Sequence, residues 1–468
     1  MKRVIVASVF AALASATFAG LLDKAWIKGV TDADPLAYKP GQPMTFTLTP
    51  MGLDGEIPAN TWFLAWKRSG DDGVIKEGRV PLTKEPFVYT TALVKAGFVR
   101  LEAYVVDAKG VRYQKKFLGD RNAPGGQKAF NDFERAKKAV FFDGGAGVDI
   151  ATLRSHPEPN DFDAFWAAQY RRLDLVPLKA ERVEIPCANP KARLFAVEVR
   201  CAGLRPVTGY LTVPKAVDEN KTFPARLQTH GYNGDRFNHD RPAWAADNEI
   251  VLNINAHGLK LPEFGGTEAD RKALRWECRT HDPRQRYQTY AFNTEQNADP
   301  EVAYFNGMVL RVKRALQYLK TVKGWNGKDL WASGGSQGGL QTIWAAGCGE
   351  GVTGAFSGIT WCCDMYTTGK LRLDRANNLA SDGWYIPWTE AMGYFDAANF
   401  ARRIPTTCHT EITRAGLGDY CCPPTGIAKM WNNIPGANKR IVWVQGSEHG
   451  YVPPEYAERD FVRTGADR

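Results

Sequence analysis

The chain has 468 residues, of which 44% are hydrophobic, 24% charged and 12% aromatic. This length leaves room for two or three domains, and the composition excludes a disordered chain, a collagen-like chain and a coiled coil. The net charge of +9 is mild for this length, and no run of like charge reaches five residues. Because a nucleic-acid-binding surface needs clustered positive charge, the sequence predicts no nucleic-acid partner.

The N-terminus has the features of a secretory signal peptide. Lys2 and Arg3 precede an apolar stretch that continues through small residues to Ala19, where the small-x-small pattern suits cleavage. The apolar part is shorter than the ~20 residues of a membrane span, and no second long apolar run follows. We therefore expect residues 1–19 to be removed from a secreted or periplasmic protein without a membrane segment. Loss of Lys2 and Arg3 lowers the charge from +9 to +7.

Export bears on the nine cysteines, because an oxidising compartment permits disulfide bonds. Their spacing contains no C-x-x-C, which disfavours a zinc ribbon or a thioredoxin-like site. Nine is an odd number, so at least one thiol stays unpaired within a monomer, and buried apolar thiols are an equal alternative to disulfides. The cysteines are Cys187, Cys201, Cys278, Cys348, Cys362, Cys363, Cys408, Cys421 and Cys422.

Residues 20–120 are predicted to form a small all-β domain. Short runs with alternating polar and apolar residues, such as 44–48 and 98–106, are separated by turn sequences. Strands of this length and spacing are typical of an immunoglobulin-like sandwich, here without the antibody-type disulfide because the stretch contains no cysteine. Residues 121–155, rich in Gly, Asn, Asp and Lys, are predicted to be a linker with one short helix near 130–139.

From residue 156 to residue 468, strand-like apolar runs alternate with helical segments, which indicates α/β architecture with a mostly parallel central sheet. Residues 306–319 place apolar side chains at helical spacing and are predicted to be one of the helices. The predicted strands are 194–199, 208–213, 225–229, 250–254, 329–333, 354–360, 413–416 and 440–444.

One motif dominates the chemistry of this second part. Residues 334–339 read Gly-Gly-Ser-Gln-Gly-Gly and contain G-x-S-x-G between a predicted strand and a helix-forming run at 340–346. This is the context of a nucleophile elbow, in which a strained turn holds the serine at the end of the sheet and small neighbours avoid clashes. The N-terminus of the following helix favours a developing oxyanion there. Ser336 is therefore the predicted nucleophile.

A serine nucleophile needs a base and an acid that orients the base, and in α/β hydrolases they follow in the order serine, acid, histidine. His449 lies just after the last predicted strand and is the predicted base, whereas His409 precedes a strand and is interpreted as structural. Asp419 follows the preceding strand and is the predicted acid. Asp364, after the strand that ends near Trp361, is the alternative position for the acid.

The oxyanion hole needs two donors. The backbone N–H of Gln337, directly after the nucleophile, is one candidate. The loop after the predicted strand 225–229 reads His-Gly-Tyr-Asn-Gly, and its glycines let the backbone approach a substrate, so the N–H of Tyr232 is the other candidate. His230 in the same loop is interpreted as a supporting residue packed under the elbow.

These residues resemble carbohydrate esterase family seven, the acetyl xylan esterases and cephalosporin C deacetylases within the α/β hydrolases. The resemblance rests on the run Asp-Phe-Asp-Ala-Phe-Trp at 161–166, the loop 230–234, the elbow, the segment 416–424 and His449, which occur in the family's order. It extends from about residue 156 to the C-terminus and does not include the N-terminal β domain.

The resemblance implies an α/β hydrolase fold with Ser336 as nucleophile, Asp419 as acid and His449 as base. It also implies the amides of Tyr232 and Gln337 as the oxyanion hole. The implied reaction is hydrolysis of short acyl esters, chiefly acetyl groups on sugars, with no metal ion and no cofactor.

The sequence departs from the family in two places. The family usually has Arg-Gly-Gln after the next strand, whereas residues 255–259 read Asn-Ala-His-Gly-Leu, so different residues must support the elbow. The segment 260–299 is unusually rich in Arg, Glu, Asp and Gln. Together with the extra N-terminal domain, this segment leaves open whether the chain forms the hexameric rings common in the family.

Two other functions fit parts of the sequence. A prolyl-oligopeptidase-like peptidase shares the elbow but carries a large β-propeller, for which about a hundred residues of short strands are too few. A non-catalytic carbohydrate-binding protein would not need Ser336, Asp419 and His449 together. The expected partner is an acetylated oligosaccharide or polysaccharide. Aromatic residues in or near the loops after the elbow are candidates to line its pocket: Trp361, Trp384, Tyr385 and Trp388.

Overall fold

The computed structural model describes residues 20–135, 137–232, 248–277, 290–367, 386–453 and 455–467. The predicted signal peptide, residues 1–19, lies outside these ranges. The chain folds as two compact units. The first contains the described residues up to Thr152 together with Gly416–Asp419 and Val444–Phe461; the second contains Leu153–Ala415, Tyr420–Trp443 and Val462–Arg468. Within the described ranges, no helix is long and apolar enough to cross a membrane.

The first unit contains two antiparallel sheets, which confirms the small β-sandwich predicted for the N-terminal part. The strands are β1 (Trp26–Thr31), β2 (Met44–Met51), β3 (Trp62–Gly70), β4 (Lys76–Pro81), β5 (Phe87–Thr91), β6 (Gly97–Asp107) and β7 (Phe141–Val148). One sheet has the order β1-β2-β5 and the other β4-β3-β6-β7. Alternate side chains of β2, namely Met44, Phe46 and Leu48, are fully buried, as expected for a strand with one face on a core.

Strand β7 differs from the sequence prediction, which placed it in a linker over 121–155. Helix α1 (Gly126–Arg135) lies near the short helix expected there, but Phe141–Val148 pairs with β6 and is buried along its whole length. Three glycines and an aspartate in eight residues lower its strand propensity, so the sequence pattern hides it. The glycines are needed because other backbone comes close. A Cβ on Gly145 would lie 2.4 Å from the carbonyl oxygen of Val99.

The other elements follow in chain order. They are α2 (Phe162–Asp174), β8 (Ala180–Ile185), β9 (Ala192–Val199), β10 (Val207–Pro214), β11 (Phe223–Thr229), β12 (Ile250–Asn255), α3 (Glu268–Glu277), α4 (Tyr304–Leu319), β13 (Trp325–Gly335), α5 (Gln337–Gly347), β14 (Gly354–Gly358), α6 (Ala397–Ala401), β15 (His409–Gly416), α7 (Pro424–Asn433), β16 (Lys439–Val444) and β17 (Asp460–Thr464). Short 3-10 helices cover Ile150–Thr152, Lys215–Glu219, Pro262–Phe264, Gln296–Ala298 and Glu390–Tyr394.

One ten-stranded sheet forms the framework, with the order β17-β16-β15-β14-β13-β11-β12-β10-β9-β8. Its central pairings, from β12 through β11, β13 and β14 to β15, are parallel, and β8, β9 and β10 form an antiparallel edge. This arrangement confirms the predicted α/β fold with a mostly parallel sheet. In such sheets, ligands bind beyond the carboxyl ends of the strands, so the loops after β11, β13 and β14 are the first place to look for a site.

Candidate active site

Ser336 lies at the turn between β13 and α5, as the elbow motif predicts. Its φ is 57° and its ψ is −119°, and a positive φ is strained for a residue other than glycine. The N–H of Ser336 donates to the carbonyl of Gly358 (2.9 Å), and its own carbonyl accepts from the amides of Leu340 (3.1 Å) and Trp361 (3.2 Å). These bonds hold the strained turn and leave Ser336 partly exposed.

Glycines let neighbouring backbone approach the elbow closely. A Cβ on Gly334 would lie 2.3 Å from Thr229 Oγ1, and one on Gly338 would lie 2.8 Å from the carbonyl oxygen of Thr229. The Thr229 hydroxyl is within hydrogen-bonding distance of the carbonyls of Ser333 (3.1 Å) and Gly338 (2.8 Å). The end of β11 is therefore tied to both sides of the turn, and larger residues in the motif would separate them.

Gln337 begins α5 and is fully buried. Its N–H has no acceptor within the helix, because the first four amides of an α-helix have none. A helix N-terminus also carries partial positive charge, so this amide is suited to stabilise an oxyanion. The side-chain Oε1 accepts a hydrogen bond from the Tyr290 hydroxyl, while Nε2 has no partner in the part of the chain that the structure describes.

Tyr232 follows β11 and is the last described residue of its loop, since Asn233 and Gly234 lie outside the described residues. Its ring stacks on Tyr290, with centroids 5.3 Å apart and planes at 15°, and meets Trp361 edge-on at 5.4 Å. Tyr290 therefore contacts both residues whose amides are predicted to form the oxyanion hole.

Two histidines lie near each other at this point, His230 in the same loop and His257 after β12, with ring centroids 5.9 Å apart. The Nε2 of His230 accepts the N–H of Ala256 (3.0 Å), which assigns the ring proton to Nδ1, close to the carbonyl of Gly231 (2.6 Å). His257, in the segment that departs from the family's Arg-Gly-Gln, is fully buried and within hydrogen-bonding distance of the Tyr304 hydroxyl (3.1 Å). Burial above all lowers the pKa of His257 well below 6.5, with nearby positive charge adding to the effect. Both rings are therefore close to hydrogen-bonding partners, and the supporting role of His230 stays a prediction.

Asp419 and His449 form a hydrogen-bonded pair in the first unit. Asp419 Oδ2 lies 2.9 Å from His449 Nδ1; the carboxylate is fully buried, and the His449 side chain is 30% exposed. Asp419 follows β15 and His449 follows β16. A carboxylate that accepts from Nδ1–H leaves Nε2 unprotonated, which is the tautomer that a general base requires.

Asp364, the alternative acid, makes different contacts. Its buried carboxylate accepts hydrogen bonds from the ammonium group of Lys429 and from the backbone N–H of His156 (3.0 Å). Its φ is 54°, so the loop after β14 has a strained backbone at this residue. An aspartate neutralised by a lysine is suited to fix a loop, and these contacts favour Asp419 as the acid.

Of the four predicted pocket residues, the structure describes two, and these two make different contacts. Trp361 is 3% exposed and borders the Tyr232 ring, so it lies against the predicted oxyanion hole. Trp388 is half-buried and packs edge-on against His156, with centroids 5.4 Å apart. Trp384 and Tyr385 lie outside the described residues.

Most of the cysteines fit the buried-thiol alternative. Burial raises the pKa of the Cys348 thiol to about 12 and that of the Cys408 thiol to about 11, so both stay protonated at neutral pH. Cys278 lies outside the described residues. Six cysteines form no disulfide in the structure: Cys187, Cys201, Cys348, Cys362, Cys363 and Cys408.

Two contributors to these arrangements were not predicted. Tyr290 lies in the unusual segment 260–299, whose most prominent feature is its charged residues, so the sequence gives no sign of the role of this tyrosine. Gln445 directly follows the last predicted strand, and its side-chain amide bonds to both the N–H and the carbonyl of Gly145 at 2.9 Å. A glutamine between that strand and the predicted base was the available signal.

A serine with positive φ between a parallel strand and a helix, in a mostly parallel sheet, defines the α/β hydrolase class. Comparison with known families is consistent with this class, since the family model described as acetyl xylan esterase (AXE1) matches residues 149–463. The chain therefore belongs to the acetyl xylan esterase family, which confirms the resemblance seen in the sequence.

Individual relatives agree with this assignment. The chain is 28% identical over 294 residues to the acetyl esterase Axe7A of Xylanibacter ruminicola, a match that spans 61% of this chain and 62% of that protein. The acetyl xylan esterase of Paenibacillus sp. R4 superposes with a TM-score of 0.51 at 20% identity, over 65% of this chain and 94% of that one. Acetyl xylan esterase 1 of Thermoanaerobacterium sp. JW/SL YS485 gives 0.50 at 17%, over 65% and 93%. At these identities, the two structures show that the fold is shared.

Proposed function

We propose that this chain is a secreted serine carboxylesterase that removes acetyl groups from a glycan such as acetylated xylan. Family membership supports the ester chemistry, and the relative from Xylanibacter ruminicola carries the name acetyl esterase. The observation that carries the serine mechanism is the elbow, where Ser336 has a φ of 57° at the start of α5. The signal-peptide pattern of residues 1–19 supports export.

In the first half of the proposed reaction, Ser336 Oγ attacks the acetyl carbonyl carbon while Nε2 of His449 takes its proton. Asp419 keeps the imidazole in the required tautomer and stabilises the imidazolium. The carbonyl oxygen becomes an oxyanion, which accepts hydrogen bonds from the N–H groups of Gln337 and Tyr232. The C–O bond to the sugar then breaks, and His449 returns the proton to the leaving alkoxide, so that the sugar departs as an alcohol.

The second half repeats these steps with water. His449 removes a proton from a water molecule, and the resulting hydroxide attacks the acetyl-Ser336 carbonyl. The same two amides hold the second oxyanion. Ser336 leaves with the proton that His449 returns, and acetate is released. No step requires a group beyond those named.

The test of the nucleophile is acetate release from acetylated xylan. Ser336→Ala removes the attacking oxygen and should lower kcat by ~10⁴–10⁶-fold. Ser155→Ala is a control, because that hydroxyl accepts hydrogen bonds from Arg402 (3.1 Å) and Asn433 (2.9 Å) and has no part in the proposed reaction. The control should keep the wild-type rate, whereas equal release by wild type and Ser336→Ala would contradict the proposal.

A substrate panel separates the esterase from the peptidase. Wild-type protein should release acetate from acetylated xylan, or from other acetylated sugars, faster than it cleaves peptides of any sequence. Cleavage of peptides without a preference for esters would favour the peptidase instead.

A further inference from the structure

Strand β7 of the N-terminal β-sandwich lies in the same compact unit as the loops that carry Asp419 and His449. The side chain of Gln445 makes the main polar link. Its Oε1 accepts the N–H of Gly145 and its Nε2 donates to the carbonyl of Gly145, both at 2.9 Å. Gln445 is 1% exposed, so water does not compete for these bonds. The side-chain amide thus pairs with β7 much as a neighbouring strand would.

The acid loop touches the same strand. A Cβ on Gly418 would lie 2.1 Å from the carbonyl oxygen of Asp143, and one on Gly145 would lie 2.8 Å from the carbonyl oxygen of Leu417. Such approaches are open only to glycine, so β7 and the acid loop are in direct backbone contact. Asp419 is the next residue after Gly418.

The acid and base loops are also joined to each other. The N–H of Leu417 donates to the carbonyl of Val444 (2.9 Å), and the N–H of Gly418 donates to the carbonyl of Ser447 (3.2 Å). Further along the base loop, Glu448 forms an ion pair with Lys137 at 3.0 Å. Asp419 and His449 therefore each directly follow a residue that contacts the N-terminal part of the chain: Gly418 lies against Asp143, and Glu448 pairs with Lys137.

Strand β7 itself is held rigidly. Asp143 is fully buried and accepts two hydrogen bonds from the Arg100 guanidinium of β6, at 2.9 and 2.6 Å. Two parallel hydrogen bonds between one guanidinium and one buried carboxyl group hold two strands in place, because breaking them would leave the Asp143 carboxyl buried without these partners. The strand that Gln445 contacts is therefore a firm support.

We propose that the N-terminal β-sandwich, strands β1–β7, is a working part of the catalytic apparatus, with Gln445 as the positioning residue that fixes the Asp419–His449 pair against β7. The inference rests on the proposed serine esterase function. Gln445 touches no reacting atom. Its effect passes through the loop to His449, four residues further on, and through β7 to Gly418 and Asp419.

Gln445→Met is the test variant, since it keeps the volume of the side chain and removes both bonds to Gly145. Displacement of a catalytic group by about 1 Å can cost up to ~10²-fold in rate, so kcat on acetylated xylan should fall by roughly tenfold to a hundredfold. KM should stay within about twofold of the wild-type value, because Gln445 has no role in binding the glycan. The variant Gln42→Met serves as the matched control, because it removes only the hydrogen bond that Gln42 Oε1 accepts from the Lys39 N–H and leaves both bonds to Gly145 in place. It should leave kcat unchanged.

Folding and positioning are distinguished by two further measurements. With an activated acetate ester, the size of the initial burst of released leaving group counts the sites that can be acetylated. The value of kcat per such site should still be reduced in Gln445→Met. Gln445→Glu keeps the acceptor and, once protonated, regains the donor, so its rate relative to wild type should rise as the pH falls. If Gln445→Met does not fold, this conservative variant takes its place in all measurements.

A readout without substrate separates this inference from the proposed function. In wild-type protein, the proton between His449 Nδ1 and Asp419 should give a downfield ¹H NMR signal, which Gln445→Met should broaden or shift and Gln42→Met should not. Wild-type kcat per site in Gln445→Met, with the signal unchanged, would overturn the positioning role. Absence of esterase activity in wild type, with the signal changed by Gln445→Met, would overturn the proposed function alone.

Discussion

Tyr290 joins the two residues that are expected to donate to the oxyanion. Its hydroxyl donates to the side chain of Gln337, and its ring lies parallel to that of Tyr232 at 5.3 Å. It is 4% exposed and also packs edge-on against His257, with ring centroids 5.1 Å apart. A single side chain with contacts to both donors can fix their separation, and fixed separation is what an oxyanion hole requires.

The hydroxyl of Tyr290 can be tested separately from its ring. Tyr290→Phe keeps the stack on Tyr232 and removes the hydrogen bond to Gln337, whose net value is ~1 kcal/mol, so kcat should fall roughly threefold to tenfold with KM little changed. Tyr304→Phe is the matched control, because its hydroxyl lies near His257 (3.1 Å) and accepts from Arg205 (3.4 Å) rather than contacting Gln337. Initial rates on a soluble acetate ester measure both variants. An equal loss in the two would assign the effect to general packing.

The assignment of the acid is also decided at single residues. Asp419→Asn keeps the shape of the side chain, but the amide can donate to His449 Nδ1 and so favours the wrong tautomer; kcat should fall by ~10³–10⁴-fold. Asp364→Asn weakens the buried pair with Lys429, so it should lower the Tm while substantial activity remains. The two variants are compared by kcat per folded molecule and by thermal unfolding. The reverse pattern of activities would move the acid to Asp364.

At the scale of elements, the sequence predicts the strands and helices in which polar and apolar residues alternate at a regular spacing. Strand β2 alternates buried and half-buried residues along Met44–Pro50, and α4 has apolar residues at helical spacing, so both were predicted within three residues of their bounds. Strands β4 and β8 were missed, because they are edge strands whose exposed, charged sequences carry no periodic signal. Strand β7 was missed for the opposite reason, since it is wholly buried and rich in glycine.

The candidate site also has features that the sequence predicts and features that only the structure shows. The elbow could be predicted because strand, turn and helix adjoin in the chain and each needs particular residues at fixed positions. Asp419 could be preferred to Asp364 as the acid, and His449 to His409 as the base, only from the order of strands and loops along the chain. The link from Gln445 to Gly145 joins residues 300 positions apart, and that from Tyr290 to Gln337 joins residues 47 apart. No local pattern encodes such contacts, so they emerge only once the topology is known.

At the scale of the whole molecule, two buried titratable groups oppose one another in the dependence of stability on pH. Asp396 is 4% exposed; burial, and then the charge of Asp364, raise its pKa from 3.8 to about 7. His257 has its pKa lowered well below 6.5, chiefly by burial. The folded state therefore holds a proton on Asp396 that the unfolded chain releases, and it excludes from His257 a proton that the unfolded chain binds.

The signs of the two contributions follow from linkage. Between pH 4 and 7 the folded state binds more protons at Asp396, so stability from this group falls as the pH rises, by roughly 4 kcal/mol for a pKa difference between 3.8 and about 7. Below pH 6.5 the unfolded state binds more protons at His257, so stability from this group rises with pH. Burial raises the pKa of Asp143 too, which adds a slope of the first sign that is common to all variants at the other two positions.

Single substitutions should expose the two opposing slopes. In Asp396→Asn the falling contribution is gone, so the Tm should rise more steeply with pH, or fall less, than in wild type between pH 4 and 7. In His257→Gln the rising contribution is gone, and the slope should change in the opposite direction below pH 6.5.

Asp163→Asn is the control, because the hydrogen bond from Arg403 holds the pKa of Asp163 below 3.8, outside this window, and its slope should match wild type. Thermal unfolding across the range measures all four proteins. Asp396→Asn also alters hydrogen bonds, because the Asp396 side chain accepts the amides of Asp364, Met365 and Ala398, so the slope rather than the absolute Tm carries the test. Parallel curves for all four would contradict the assignment of a buried, protonated Asp396 and a buried, neutral His257.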